Sequence, residues 1–364
     1  MTGYNMRYTF TFDRISKKWR EKADKTKEYE IYENKETDRD FELPFLSGVE
    51  YKEYLQAQKY KQRLLKTYNK KILEDVINGE EIQTKKGTCY YIKNHEKINF
   101  SAINANIAKD KILTNFKLIY GIGEVTEQAL KKQGYKTIED LIKHPRFGFE
   151  AKKLVECVGE CDTSKIADWI RRWFSISHPL LLYSSAFHNK EDFIFLDLET
   201  LGLSANPIIL IGAAQIAGHN IITHQYLVRS IKEEPAVLSG FLSHLNNESA
   251  FITYNGKTFD LPFLEGRLVY YRMKADLQKP HFDLLHFSRR AWKDRLPNCK
   301  LTTLEKHILD IKRENDVPGA LVPGFYQTYL ETKNVGPLIP IIEHNRQDLI
   351  TLANIFSKLF EELE

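Results

Sequence analysis

Four carboxylates stand beside apolar stretches of this sequence: Asp197 and Glu199 in FIFLDLETLGL, Asp260 in ITYNGKTFDLPFL, and Asp348 in EHNRQDLITL. An unpaired carboxylate is costly to bury, so acidic groups kept at the edge of a core usually have a cation to hold. Mg²⁺ and Mn²⁺, hard ions that prefer oxygen ligands, suit such a set. His344 lies four residues before Asp348 and so shares its face of a helix. Histidine is a competent general base near neutral pH.

The elements that must position these groups can be read locally. Phe193 to Glu199 is an apolar, β-rich run of the kind that forms a central strand. Side chains alternate along a strand, so Asp197 and Glu199 point the same way. By itself a D-x-E pair also arises by chance on surface strands. Phe251–Tyr254 reads as a short strand followed by an Asn255-Gly256 turn. Leu261, Leu264, Leu268 and Tyr271 then fall at helical spacing, which puts Asp260 at a helix N-terminus, where an ordinary N-cap is the plain alternative. Leu349, Leu352, Ile355, Phe356 and Leu359 predict an amphipathic helix over about 338–363. There His344 and Asp348 alone would pass as a surface pair.

Taken in order, Asp-x-Glu, Asn-x4-Asp and His-x3-Asp resemble the three motifs of the DEDD exonuclease superfamily, which has the RNase H-like fold. FIFLDLETLGL, PIILIGAAQI, YNGKTFDLPFLEGRL, HFDLLHFSRRAW, LTTLEKHIL and HNRQDLITLANIF are similar to the prokaryotic RNase H-like exonuclease family related to the proofreading domains of B-family DNA polymerases. The resemblance covers about residues 186–360. The third motif departs from both main subgroups, one with Tyr-x3-Asp and the other with His-x4-Asp; here a histidine has the tyrosine spacing.

The resemblance implies a 3′–5′ exonuclease that hydrolyses phosphodiester bonds with two Mg²⁺ or Mn²⁺ ions about 3.5–4 Å apart. Asp197 would touch both ions, Glu199 and Asp348 would complete the shell of one, and Asp260 would serve the other. His344 is the expected base or water-orienting group. Thr200 and Gly202 would meet the terminal nucleotide, Leu201 or Leu203 would wedge against its base or simply pack in the core, and Asn255, Lys257 and Phe259 would be further substrate contacts. Asp283 is expected to be structural, and Glu191 and Asp192 to be loop charges. Arg289, Arg290, Lys293, Arg295 and Lys300 would either guide the backbone or form a solvated face.

Upstream, Lys117–His144 reads as helix, Gly121-Ile122-Gly123 turn, helix, Gly134 C-cap and a further helix opened by Thr137. It resembles a helix-hairpin-helix. Its glycines would let the backbone approach a phosphate beside a helix N-terminus, with Lys131 and Lys132 adding charge. A glycine turn between packed helices is the alternative. Residues 1–185 hold 34 Lys+Arg against 27 Asp+Glu, whereas residues 186–364 hold 19 against 22. The basic half would attract phosphate and the acidic half would hold the ions.

A chain of 364 residues with 42% hydrophobic residues can bury several cores. The expected fold class is α/β: an RNase H-like mixed sheet flanked by helices at 186–364, preceded by a mainly helical hairpin-containing region at 117–180 and an N-terminal α+β segment at 1–116. In that segment Tyr4–Asp13 alternates like a strand, Lys17–Asp40 is a charged run, Glu50–Val76 looks helical, and Gly79–Phe100 looks like a hairpin turning at Lys86-Gly87. No apolar run is long enough to span a bilayer, and Met1–Asp13 lacks a signal pattern, which predicts a cytoplasmic protein. Cys89, Cys157, Cys161 and Cys299 are scattered and read as reduced thiols. Single-stranded DNA 3′ ends are the expected substrate. An exoribonuclease and a nucleic-acid-binding scaffold without strong activity are the competing readings.

Overall fold

The computed structural model describes residues 51–202 and 206–363. The strand expected at 4–13, the charged run at 17–40 and Leu203 lie outside the described residues.

Helix α1 (Tyr51–Thr67) precedes a hairpin of β1 (Glu80–Thr84) and β2 (Gly87–Lys97). Gly87 has φ +121°, a left-handed conformation that glycine tolerates at the hairpin turn. Helices α2 (Ala105–Leu113), α3 (Glu124–Lys132), α4 (Gly148–Gly159), α5 (Thr163–Arg171) and α6 (Pro179–Tyr183) form the middle region. Then come β3 (Phe193–Thr200), β4 (Ile208–Ala217), β5 (Asn220–Leu227), α7 (Glu234–Leu242), β6 (Ala250–Thr253), α8 (Asp260–Tyr270), β7 (His281–Asp283), α9 (Leu284–Trp292), α10 (Leu301–Ile308), α11 (Val322–Thr332) and α12 (Leu338–Leu363).

The strands form one mixed sheet in the order β1-β2-β5-β4-β3-β6-β7. β3, β4 and β5 pair antiparallel in succession, and β6 and β7 add in parallel, the arrangement expected for an RNase H-like domain. The hairpin assigned to the N-terminal segment joins this sheet, because β2 pairs antiparallel with β5 from Tyr90↔Leu227 to Lys97↔Asn220. The segments 1–116 and 186–364 therefore share one sheet.

Strand alternation fixes the layers. Phe193 and Phe195 pack with Phe356 of α12, their ring centroids 5.1 and 6.4 Å away. Ile194, Leu196 and Leu198 face the other way, into a cluster with Val237 and Phe241 of α7 and Leu264 of α8. The first cluster runs on without a break into α2, α4, α5 and α6 through Ile112, Leu154, Ile170 and Leu181. A third cluster joins α1 to α11 and the start of α12 through Leu64, Phe325 and Ile341. The middle helices and the sheet thus share a core.

Three elements differ from expectation. The helix expected after Thr137 is a 3₁₀ turn at Asp140–Lys143, where the Asp140 carboxylate accepts from the amides of Lys136 (2.7 Å) and Thr137 (2.9 Å). The helix expected before Gly121 is likewise a 3₁₀ turn, Phe116–Leu118. Helix α11 has no counterpart among the expected elements. Proline is well tolerated at the start of a helix, and here it occupies the first turn. Among the described residues, no helix is long and apolar enough to cross a membrane.

Candidate active site

The face of β3 that carries Phe193 and Phe195 continues to Asp197 and Glu199, so both carboxylates are turned toward α12. Asn345 of α12, fully buried, donates to the Asp197 side chain at 2.7 Å and to its carbonyl at 3.1 Å. Its own side-chain oxygen accepts from Gln225 Nε2 of β5 at 2.8 Å. Gly212 of β4 makes room for this amide, since a Cβ there would stand 2.1 Å from Asn345 Oδ1. β3 loses its regular register with β4 between Glu199 and Thr200, and the chain leaves the sheet there. Thr200 and Gly202 follow at this exit, tied by a 3.0 Å bond from Thr200 Oγ1 to the Gly202 carbonyl.

Asp260 is the first residue of α8, and Phe259 holds the cap position without a side-chain cap bond. The aspartate therefore does not act as the ordinary N-cap. Its Oδ1 accepts from the Leu198 amide of β3 at 3.1 Å, beyond the point where β6 stops pairing with that strand. The loop before it is held from β7: both oxygens of Asp283 accept backbone amides, from Asn255 at 2.7 Å and Lys257 at 3.1 Å. Asp283 also caps α9 through Leu285, as its expected structural role requires. Asn255 adopts a left-handed φ of 64°, which Asn tolerates better than most residues. Phe259 packs on Phe263, ring centroids 5.4 Å apart.

The other side of the site comes from α12 and the loop after α10. His344 Nε2 lies 3.7 Å from Asp348 Oδ2, and its Nδ1 is 2.7 Å from Asp316 Oδ1. Arg313 pairs with Asp348, with Glu305 of α10 at 2.6 Å and with Asp316 at 3.4 Å. Thr351 of α12 also hydrogen-bonds Glu305. Asn345, Glu305, Arg313 and Asp316 escaped the sequence reading. For Glu305, a carboxylate on the apolar face of LTTLEKHIL was the available signal; Arg313 and Asp316 lie in a polar loop with no periodicity to mark them.

The electrostatics describe a set of acids in want of positive charge. Burial raises the Asp197 carboxyl, and the Asp348 and Asp260 charges add to this. Burial likewise raises Glu199, against the pull of His344. Asp260 is pushed up to about 8 by burial, opposed mainly by the Leu198 amide. Burial works to lower His344, but Asp348, Asp316 and Glu199 outweigh it and hold the imidazole up at about 10. The neighbouring acids thus favour the charged form of His344, and Arg313 adds a second cation beside them.

An oxygen-only set of Asp197, Glu199, Asp260 and Asp348 fits a hard divalent ion chemically, and the mutual repulsion of its members is what such an ion would relieve. Among the described residues, no group of three or more His, Cys, Asp and Glu side chains stands ready-made to grip a metal ion. Asp348 is turned to Arg313 instead. The donors fit in kind, then, and Asp348 would have to turn for the shell to close.

The remaining expected contacts separate. Ile122 is buried, and its amide donates to the Ile119 carbonyl at 3.2 Å. Gly121 has φ +80° and Gly123 caps α3, whose first turn carries Glu124 and Glu127. Lys131 is paired with Glu127 at 2.7 Å, while Lys132 is exposed. Gly134, φ +95°, follows α3 as the expected terminator. Lys257 lines a cleft together with Arg171 of α5. The four cysteines are free thiols.

A mixed sheet with carboxylates on an inner strand, facing a long helix that carries a further aspartate, is the arrangement of an RNase H-like domain. Residues 194–360 match the family model of the RNase_H superfamily, so this stretch is an RNase_H-superfamily domain, a fold that supports a nucleic-acid-cleaving hydrolase. The chain is also similar to the uncharacterized protein YprB of Bacillus subtilis (strain 168), with 32% identity over 207 residues. That match covers 55% of this chain and 49% of the relative, so the chain spans about half the length of the curated protein it matches.

Proposed function

We propose that the protein is a divalent-metal-dependent 3′–5′ exonuclease acting on single-stranded DNA ends. The observation that carries this reading is the meeting of Asp197, Glu199, Asp260 and Asp348 from β3, α8 and α12 around one buried focus beside His344. The four carboxylates would hold Mg²⁺ or Mn²⁺, which when bound supplies Lewis-acid stabilisation of the phosphate and a more acidic water.

The chain's own residues have defined parts in this scheme. Asn345 fixes the Asp197 rotamer through two hydrogen bonds. Asp316 holds Nδ1 of His344, which leaves Nε2 directed at the acidic focus. His344 would act as a base with its pKa lowered, which positive charge held by the four carboxylates would favour. Thr200, Gly202, Asn255 and Phe259 would receive the terminal nucleotide. The Gly121–Gly123 turn and Lys132 would meet the backbone further along, as in a helix-hairpin-helix, with Lys131 contributing if it leaves Glu127.

The test uses single-stranded DNA and RNA, each labelled at either end, with Mg²⁺ or Mn²⁺. Stepwise shortening of 5′-labelled DNA, abolished in Asp197→Ala, is the expected result. Degradation of RNA alone would move the protein to the exoribonucleases, and inert wild-type protein would end the enzymatic reading.

A further inference from the structure

Away from the acidic focus, a cleft of about 380 Å³ opens between α5 of the middle region and β7 and α9 of the sheet domain. Its walls bring together Arg171, Lys257, Lys279, His281, His286 and Asp283. Five of these six carry nitrogen groups that can bear positive charge, drawn from separate segments at 171, 257 and 279–286. Among the described residues, Arg171 is countered only by the exposed Asp168 at 3.2 Å, and Lys279 by the exposed Asp276 at 2.9 Å. Lys257 and His286 make no side-chain hydrogen bond or ion pair among the described residues. Of the two carboxylates in the wall, Asp168 faces Arg171, and Asp283 has its oxygens engaged by the Asn255, Lys257 and Leu285 amides.

Gathering like charges in a half-buried cleft is unfavourable unless an anion completes it. The strain is visible in the groups themselves. Burial lowers the Lys257 ammonium, and Arg171 lowers it further. Burial, with help from Lys257, Arg171 and His286, pushes His281 down to about 3. Arginine and lysine at such a site suit phosphate oxygens, and neutral imidazoles can add N–H donors.

Position identifies whose phosphate this is. Lys257 lies three residues before Asp260, so their Cα atoms are at most about 11 Å apart. We infer that the cleft is a second phosphate site, which grips the backbone of the same strand whose end reaches the carboxylates. This rests on the exonuclease reading, under which the uncut strand lies on the 5′ side of the scissile bond; the cleft then holds a phosphate on that side. Arg171 makes the middle region part of the substrate path at a point separate from the glycine turn.

The experiment measures binding apart from cutting. Fluorescence anisotropy with 5′-labelled single-stranded DNA of increasing length, in Ca²⁺ and over a series of salt concentrations, compares wild type with Arg171→Gln, Lys257→Gln and Arg171→Lys. Circular dichroism and melting establish that each variant is folded. The expected result is a salt slope smaller by about 0.7 for each glutamine variant, one lost phosphate contact on a single strand. Arg171→Lys should keep the slope, and a dinucleotide should bind all four proteins alike. Coincident slopes on the long strand would overturn the inference. So would a mononucleotide or inorganic phosphate that competes as well as the long strand, since the cleft would then hold free phosphate. If wild type cuts but the slopes coincide, the cleft fails and the exonuclease reading stands. If wild type cuts nothing but the slopes differ as expected, the reading fails and the cleft remains a nucleic-acid contact.

Discussion

At the scale of the residue, the site is a balance of charges in a partly dry place. Asp197, Glu199 and Asp260 are raised by burial, while His344 and Arg313 supply the cations that make the arrangement tolerable. Asp316 works through His344, so Asp316→Asn should reduce kcat by about 10- to 100-fold with little change in KM, and should shift the pH–rate profile. An unchanged profile would remove its positioning role. Arg313→Gln frees Asp348 but leaves Glu305 buried and unpaired; calorimetry should show a loss of about 3–5 kcal/mol in stability, the usual cost of orphaning a buried charge. The carboxylates and His344 were legible in the sequence because each borders an apolar run of clear period. Arg313 and Asp316 were not, since only the folded path of the 309–317 loop brings them to α12.

At the scale of the element, β3 and α12 do most of the positioning, and both were readable from periodicity. The Phe195–Phe356 contact and the Asp197–Asn345 bond lie on the same two surfaces, so one packing geometry sets both core and site. What periodicity could not show was the small residue opposite. Gly212→Ala would place a methyl group against Asn345; overpacking of this kind costs about 1–3 kcal/mol, and here the displaced amide is the one that orients Asp197. Activity should fall more steeply than the melting temperature, and an equal fall in Gly212→Ala and Asn345→Ala would support the shared cause. β5 carries a different sensitivity. His224 meets His244 at a tilt, 4.3 Å between centroids, and is pushed down to about 3 by burial, then by His244, Lys93 and His95. The unfolded chain binds that proton near the ordinary histidine value of about 6.5. Its folded-state pKa is depressed, so its contribution is intact above about 6.5 and is lost as pH falls toward 3. Melting curves at a series of pH values should be flatter over that window in His224→Asn than in wild type.

At the scale of the whole molecule, the sheet and the middle helices act as one body. The fold class was readable because the strand and helix runs alternate plainly, but the partner of the β1–β2 hairpin was not, since strand pairing across more than a hundred residues leaves no local mark. A fragment restricted to 186–364 would expose the β5 edge and the faces that meet α4, α5 and α6. Such a fragment should aggregate or melt far below the full chain, as size-exclusion chromatography and circular dichroism would show. A monodisperse fragment with the full chain's melting temperature would contradict this. The placement of α12 also bears on biosynthesis. His344, Asn345 and Asp348 lie on a helix that follows every other described element in the chain, so they leave the ribosome after β3, β4 and α8. A nascent or prematurely terminated chain therefore carries Asp197, Glu199 and Asp260 without the helix that gives them an environment. Under the nuclease reading, translation itself keeps the blade sheathed until the last turns have docked.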